Sequence, residues 1–264
     1  MTSRLETAFA RMRSAGRGGL VTYLTAGDPD ASCSAALLVA AARAGADVLE
    51  VGVPFSDPLA DGPVIQRATE RALAGGMTLR GALDVIRAAR RDTDAPIVVF
   101  TYANPVLRMG ISAFARGAAE AGVDGVLVLD YPVEEAAALR EAIVGANMDP
   151  VFLISPTTTD ARIRRAAELG RGFLYLISRL GVTGVRDRLP RDVQDLAARV
   201  RACSALPIAL GFGIARPEHV AEACRVADAA VVGSALVKVV ADHTTNGDLC
   251  ERVGEHVRWL KSAL

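Results

Sequence analysis

The sequence predicts an α/β fold, a (β/α)8 TIM barrel, and three observations support this prediction. From residue 19 onward, short runs of Val, Leu and Ile alternate with longer segments of helical periodicity. The alternation repeats about eight times within about 250 residues, which is typical of this barrel. No low-complexity linker or change in composition marks a domain boundary, so we expect a single domain over residues 1–264. An open doubly wound sheet remains an alternative, because the sequence does not reveal strand order.

Eight short apolar runs are predicted as strands because they are rich in Val, Leu and Ile and are bounded by Gly, Pro or Asp. They lie at residues 19–26, 47–53, 96–103, 124–130, 149–154, 172–177, 206–212 and 228–233. The longer stretches between them are predicted as helices, for example residues 30–45 and 133–145, which carry apolar residues at helical spacing.

A further helix is predicted before the first strand. Ser3 and Glu6 have the spacing of a capping box, in which each side chain bonds the backbone N–H of the other residue. Four apolar residues follow at helical spacing and form one stripe: Leu5, Ala8, Phe9 and Met12. We therefore expect an extra N-terminal helix that covers one end of the barrel.

Composition argues against several classes of function. The chain has 264 residues, of which 51% are apolar, and its 30 basic residues balance 30 acidic ones. Because no net field attracts a polyanion, we expect a small substrate, with neither nucleic acid nor membrane as partner. No run approaches the roughly 20 apolar residues that span a bilayer, so we expect a cytoplasmic protein. The cysteines lack CxxC spacing and are expected to be reduced packing residues: Cys33, Cys203, Cys224 and Cys250.

Glu50 is the most informative residue, since it interrupts an apolar strand. Side chains alternate along a strand, so Val48, Glu50 and Gly52 should face the barrel interior. Burial raises the pKa of a carboxyl group toward the range useful for proton transfer, which favours a catalytic role. A structural carboxylate bound to an arginine or to backbone amides is the alternative. Asp57 and Asp61 follow in one loop beside Pro and Gly, where aspartate is equally typical of a turn.

Glycine recurs where the last three predicted strands end, in residues 178–186, 211–219 and 231–237. Glycine lets backbone amides approach an anion, and a helix N-terminus adds a positive dipole end. Gly213, Gly233 and Ser234 could therefore hold a phosphate group without a lysine, at the place where barrels often bind phosphate. Tight turns are the alternative explanation for these glycines.

The sequence lacks the residues that a Schiff-base mechanism or a metal-dependent mechanism requires. The only lysines, Lys238 and Lys261, fall in predicted late helices, so a Schiff-base mechanism is not expected. The three histidines have no metal-ligand spacing, and we expect neither a metal nor a cofactor: His219, His243 and His256. What remains is acid and base chemistry by carboxylates on a phosphorylated substrate. The substrate itself must then serve as the electron sink.

The stretch 49–63, LEVGVPFSDPLADGP, resembles the signature of the tryptophan synthase alpha chain family. Seven further segments occur in the order of that family: YLTAGDPD (23–30), FTYANPVL (100–107), DYPVEE (130–135), SPTTTDARI (155–163), GVTG (181–184), GFGI (211–214) and VVGSALVK (231–238). The resemblance covers nearly the whole chain, and so many segments in register make it highly specific.

This resemblance implies a (β/α)8 barrel that cleaves indole-3-glycerol phosphate into indole and glyceraldehyde 3-phosphate in tryptophan biosynthesis, without a cofactor. It also implies a partner, the PLP-dependent tryptophan synthase beta chain, in an alpha2beta2 complex. Two alternatives remain. One is a free-standing lyase that releases indole without a beta chain, and the other is a non-catalytic activating subunit that keeps the phosphate pocket. The intact Glu50 and Asp61 argue against the second.

Carried over residue by residue, the resemblance places the catalytic glutamate at Glu50 and the catalytic aspartate at Asp61. It assigns the phosphate group to Gly184, Gly213, Gly233 and Ser234, and the walls of the pocket to Tyr23, Tyr175, Thr183 and Phe212. Thr183 would lie on a loop that closes over the pocket. The inward Tyr175 is explained equally well as a core tyrosine.

The resemblance also concerns the surface of the protein. The loop around Asp57 and the segment 104–107 would contact the beta chain. Two residues depart from the more usual family pattern: Tyr131 replaces a smaller aliphatic residue, and Val185 replaces alanine. Both departures bear on loop closure and on coupling to the partner.

Overall fold

The computed structural model describes residues 2–177, 191–211, 213–244 and 247–264. Its eight strands are all parallel and form a closed barrel, in which each strand pairs with its neighbours in chain order and β8 pairs with β1. The predicted (β/α)8 barrel is therefore confirmed, and the open doubly wound sheet is excluded. Closure leaves no strand edge unpaired.

The strands lie inside the ranges predicted from the sequence. They are β1 (Gly19–Thr25), β2 (Val48–Gly52), β3 (Ile97–Thr101), β4 (Gly125–Val128), β5 (Asp149–Ile154), β6 (Leu174–Ile177), β7 (Ile208–Gly211) and β8 (Ala229–Val232). Most are one or two residues shorter at an end than predicted. The apolar runs continue into the loops, where the strands no longer pair.

One helix precedes β1, and at least one helix follows every strand. They are α1 (Arg4–Ser14), α2 (Ala31–Arg43), α3 (Pro63–Ala74), α4 (Leu79–Ala89), α5 (Ala103–Met109), α6 (Ile111–Ala121), α7 (Ala137–Gly145), α8 (Asp160–Leu169), α9 (Arg191–Cys203), α10 (Pro217–Ala223), α11 (Ser234–Asp242) and α12 (Leu249–Lys261). The predicted helix at 133–145 begins only at Ala137, because Glu135 N–H bonds to Pro132 C=O in a preceding turn. Within the described parts of the chain, no helix is long and apolar enough to cross a membrane.

The N-terminal helix α1 closes the end of the barrel at which the strands begin. Its capping box is formed as predicted, with Ser3 Oγ accepting from Glu6 N–H and Glu6 accepting from Ser3 N–H. Leu5, Phe9 and Met12 are buried and belong to the same apolar cluster as the barrel interior. The centre of the Phe9 ring lies 5.4 Å from that of Phe173, directly before β6. The predicted cover over one barrel end is therefore confirmed.

At this same end of the barrel, aspartates directly before three of the strands form hydrogen bonds to neighbouring strands. The carboxylates of Asp47, Asp124 and Asp228 accept hydrogen bonds of 2.9, 2.8 and 2.7 Å from the N–H groups of Leu20, Ile97 and Ile208 on the preceding strands. Each aspartate also pairs with an arginine, respectively Arg17, Arg90 and Arg201. Acidic residues at the α1 end therefore serve to hold neighbouring strands together, as expected for the stability face of a barrel.

Candidate active site

Glu50 lies in the middle of β2 and points into the barrel, as predicted. In register it stands between Tyr23 of β1 and Val98 of β3, and only 1% of its surface is exposed. Neither of its carboxyl oxygens has a hydrogen-bond partner among the described residues. Burial, and then the charge of Asp61, raise the pKa of Glu50 to about 8. The structural alternative, a carboxylate held by an arginine or by backbone amides, has no support in these contacts.

Asp61 lies in the loop between β2 and α3, at the carboxyl end of the barrel. Its Oδ2 accepts a hydrogen bond of 3.0 Å from Tyr102 Oη. Its backbone N–H donates to Pro58 C=O, and its C=O accepts from Gln66 Nε2. Burial raises the pKa of Asp61 to about 6, although the bond from Tyr102 acts in the opposite direction. Asp61 is thus fixed by its side chain and by its backbone, which is more than an ordinary turn aspartate requires.

The environments of the two carboxyl groups give them opposite protonation states near pH 7. Glu50, with a pKa of about 8, keeps its proton, whereas Asp61, with a pKa of about 6, is ionised. A neutral acid and a carboxylate therefore lie close enough for the charge of one to act on the other. Pairs of titratable groups whose pKa values are separated in this way are typical of acid and base catalysis.

Tyr23 forms the wall of the pocket beside Glu50. Its ring packs edge-on against Phe100, with ring centres 5.3 Å apart, and is almost completely buried. The Tyr23 hydroxyl lies over Gly52, where an added Cβ would stand 2.0 Å from Oη. The Tyr23 ring therefore fits only because Gly52 has no side chain. Strand periodicity alone does not predict that residue 52 must be glycine.

Tyr175 points inward from β6, as predicted, and lies near Glu50, Tyr23 and Asp61. Burial is the main cause that raises the pKa of its hydroxyl, and the charges of Glu50, Tyr23 and Asp61 add to it. The structure therefore brings Tyr23, Glu50, Asp61 and Tyr175 together. Tyr175 also belongs to the interior apolar cluster, as its alternative role in the core requires, and its contact with a substrate stays a prediction.

The glycines proposed for phosphate lie at the ends of two neighbouring strands. Gly213 follows β7 with a φ of +76°, a conformation that favours glycine. Gly233 follows β8 and caps α11, whose first residue is the exposed Ser234. A Cβ on Gly233 would lie 3.6 Å from the Cβ of Tyr23, which places this helix start beside the pocket. The first N–H groups of a helix have no partner within the helix, so the start of α11 is a type of place that suits an anion.

Three predicted site residues, Thr183, Gly184 and Phe212, lie outside the residues that the structure describes, as does Val185. Their roles stay predictions from the resemblance. Among the described residues, no group of three or more His, Cys, Asp or Glu side chains could hold a metal ion.

Tyr102 and Gln66 contact Asp61 and were not predicted as site residues. The sequence contains a signal for each of them at the carboxyl end of the barrel. Tyr102 is a polar side chain directly after β3, and Gln66 is one in the first turn of α3. Residue 102 was within a segment matched to the family, but only residues 104–107 were given a role. Asp57, in contrast, accepts a bond of 2.6 Å from its neighbour Ser56, which is ordinary turn chemistry.

The family model described as tryptophan synthase alpha chain matches residues 9–263. The chain belongs to this family. It is 46% identical to the tryptophan synthase alpha chain of Phenylobacterium zucineum over 264 residues, covering 99% of this chain and 95% of that protein. It is 45% identical to the tryptophan synthase alpha chain of Burkholderia thailandensis over 263 residues, covering 99% of this chain and 97% of the relative.

Solved structures of tryptophan synthase alpha chains share the fold over the full length. The alpha subunit from Legionella pneumophila superimposes with a TM-score of 0.91 at 33% identity, covering 100% of this chain and 98% of that one. A chain of tryptophan synthase from Mycobacterium tuberculosis gives a TM-score of 0.91 at 37% identity, with the same coverage. The alpha chain family acts in tryptophan biosynthesis and cleaves indole-3-glycerol phosphate, which agrees with the pocket described above.

Proposed function

We propose that this chain cleaves indole-3-glycerol phosphate by a retro-aldol reaction in which Glu50 moves both protons. Asp61 accepts a hydrogen bond from the ring N–H and stabilises the positive charge that develops on the ring. The observation that carries this proposal is the pair of buried, neighbouring carboxyl groups, with Glu50 protonated and Asp61 ionised near pH 7. A metal or an iminium is not needed, because the indole ring is the electron sink.

The proposed steps return Glu50 to its starting state. Glu50 donates its proton to ring carbon 3, which leaves a cationic indolenine. The Glu50 carboxylate then takes the proton of the side-chain hydroxyl next to that carbon. The oxygen forms the carbonyl of glyceraldehyde 3-phosphate, the carbon–carbon bond breaks, and its electron pair restores the aromatic ring. A pKa near the working pH suits a group that acts first as acid and then as base.

The remaining site residues bind the two ends of the substrate. We propose that the backbone around Gly213, Gly233 and Ser234 holds the phosphate, together with Gly184. The start of α11 favours an anion because its first N–H groups have no partner within the helix. Tyr23 and Tyr175 hold the indole ring near Glu50, and Thr183 and Phe212 complete the pocket. These assignments rest on the family match and on the position of α11 beside Tyr23.

The partner proposed for this chain is a tryptophan synthase beta chain, in an alpha2beta2 complex. Support comes from two exposed leucines on the segments that the resemblance assigns to that contact. Leu59, close to Asp57, is 94% exposed, and Leu107 is 50% exposed. A depression of about 230 Å³ lies between these segments and is lined by Asp57, Asn104 and other residues. Exposed apolar side chains around a depression favour a protein contact.

The assay for this function supplies the pure chain with indole-3-glycerol phosphate and measures free indole. Glu50→Gln keeps the shape of the side chain but has no proton to transfer, so we expect kcat to fall more than about 100-fold. The exposed Glu141→Gln on α7 is the matched control and should keep full activity. A Glu50→Gln protein with a near-normal rate would refute the proposed role.

The same assay with a beta chain added separates the subunit from a free-standing lyase. We expect turnover to rise when the beta chain is present, and Leu59→Asp or Leu107→Asp to prevent complex formation while the chain stays folded. Trp259→Asp, at another exposed apolar position, is the control and should leave the complex intact. Fast turnover that the beta chain does not change would instead support the free-standing enzyme.

A further inference from the structure

Tyr102 makes three contacts that converge on the loop carrying Asp61. Its hydroxyl donates to Asp61 Oδ2 over 3.0 Å and accepts from Ala60 N–H over 3.2 Å. Its ring packs on that of Phe55, with centres 5.2 Å apart. Tyr102 comes directly after β3, caps the N-terminus of α5, and is only 4% exposed. The loop that it contacts has no regular secondary structure between β2 and α3.

The two hydrogen bonds fix the direction of the phenolic proton. The hydroxyl oxygen receives the N–H of Ala60, and its single proton then goes to Asp61. Burial and the charge of Asp61 raise the pKa of Tyr102, so the hydroxyl keeps its proton and remains a donor at neutral pH. This bond occupies Oδ2, and no other described residue donates a hydrogen bond to Oδ1 of Asp61.

We propose that Tyr102 is a positioning residue for Asp61, which holds its carboxylate ionised and oriented toward the indole N–H. This inference rests on the proposed function, since that function gives Asp61 its role. Tyr102 itself need not touch the substrate. A hydrogen bond to a charged group is stronger than one between neutral groups, and it favours the charged form of its acceptor.

Other titratable groups also face Asp61 and must be considered in any test that uses pH. Among the described residues these are Glu50 from β2, Tyr23 from β1 and Tyr175 from β6. Asp130, after β4, lies close enough to raise the pKa of Tyr102. None of these groups is changed by replacing the Tyr102 hydroxyl with hydrogen, so a shift in the titration of Asp61 would report on that hydroxyl.

The test compares the wild-type chain with Tyr102→Phe, which keeps the ring packed on Phe55 and removes only the hydroxyl. Loss of the donor should raise the pKa of Asp61, so the acidic limb of the kcat/KM profile should move to higher pH by about one pH unit. Activity should therefore fall about fivefold at pH 6, approach a tenfold loss at lower pH, and change little at pH 8. Ser262→Ala is the control, because it removes an exposed hydroxyl that bonds only Trp259 C=O just after α12, and its profile should not move.

A second readout does not depend on activity. The chain is labelled with ¹³C at aspartate carboxyl groups, and the Asp61 resonance is identified by its loss in Asp61→Asn. We expect this resonance to titrate at higher pH in Tyr102→Phe than in the wild type. If Tyr102 only stabilised the loop, the variant would lose activity equally at all pH values and the resonance would not move, which would overturn the proposal. Failure of the wild type to cleave the substrate would refute the proposed function and leave the titration result standing.

Discussion

Asp28 and Arg71 form a bidentate ion pair, with N–O distances of 2.8 Å for both bonds. Asp28 follows β1 and is almost completely buried, whereas Arg71 lies on α3 and is partly exposed. The pair therefore anchors α3 to the end of β1. The same helix packs on the Tyr23 ring through Ile65 and Ala68, so the position of the pocket wall depends on this anchor.

Arg71→Met should destabilise the fold, because it removes the guanidinium and leaves the Asp28 carboxylate buried without that partner. We expect the free energy of unfolding to fall by about 3 kcal/mol. Urea denaturation measures this change. The control is Arg87→Met, which breaks the exposed pair between Arg87 and Asp84 and should cost less than about 0.5 kcal/mol. Equal effects of the two substitutions would show that the buried pair has no special importance.

Gly52→Ala should damage the pocket and the fold together. The new methyl group would stand 2.0 Å from Tyr23 Oη, and the buried ring must move to make room. We expect a loss of about 1–3 kcal/mol in stability and a higher KM, because Tyr23 would shift into the space for the ring of the substrate. Gly117→Ala on α6 is the control, since the nearest atom to its added Cβ is Leu83 Cδ1 at 3.4 Å. A normal KM for Gly52→Ala would contradict this account of the Tyr23 position.

Glu50→Gln should be more stable than the wild type while losing activity. The pKa of Glu50 is raised from 4.5 to about 8 by folding. The folded chain therefore binds this proton more tightly than the unfolded chain, and wild-type stability declines as pH rises from about 4.5 to about 8. The variant avoids this cost, so its advantage should be small near pH 4.5 and reach a few kcal/mol near pH 8. Chemical denaturation at several pH values measures the difference.

The control for that experiment is Glu134→Gln, at an exposed glutamate paired with Arg162. Its stability difference from the wild type should change little with pH, because exposed ion pairs contribute little. A Glu50→Gln protein that gains no stability over the wild type between pH 5 and pH 8 would contradict the raised pKa of Glu50.

The pH dependence of kcat/KM should have two limbs. Activity should fall below about pH 6 as Asp61 takes up a proton, and above about pH 8 as Glu50 loses its proton. Because the two groups interact, the apparent values belong to the pair. Asp61→Asn should lower activity severely. It should also move the basic limb to lower pH, since the charge that helps to raise the pKa of Glu50 is gone. A basic limb that stays in place would show that Asp61 does not act on Glu50.

The fold could be predicted from the sequence because its signals are local. Alternating apolar runs gave the strands to within two residues at each end, and the Ser3 and Glu6 pair gave the start of α1. Strand ends were less accurate, since whether a residue such as Thr101 or Tyr102 still pairs depends on the neighbouring strand. Closure of the sheet into a barrel was inferred from the number of repeats and needed the structure for proof.

The site could be predicted only in part. Glu50 was found because a carboxylate at an inward strand position is unusual, and its direction followed from alternation. The bond from Tyr102 to Asp61 joins residues 41 positions apart, and the contact of Tyr23 with Gly52 joins two strands. Such contacts depend on the register between strands, which no local pattern records.

Because helix α1 packs on the barrel interior, it closes the end of the barrel at which the strands begin. A molecule produced beside Glu50 therefore cannot leave through the covered end. It must leave through the opening by which its precursor entered. Departure of one product and arrival of the next precursor therefore compete for the same opening. A protein bound over that opening would meet the departing molecule before bulk water does. It would therefore control the rates of both exit and entry.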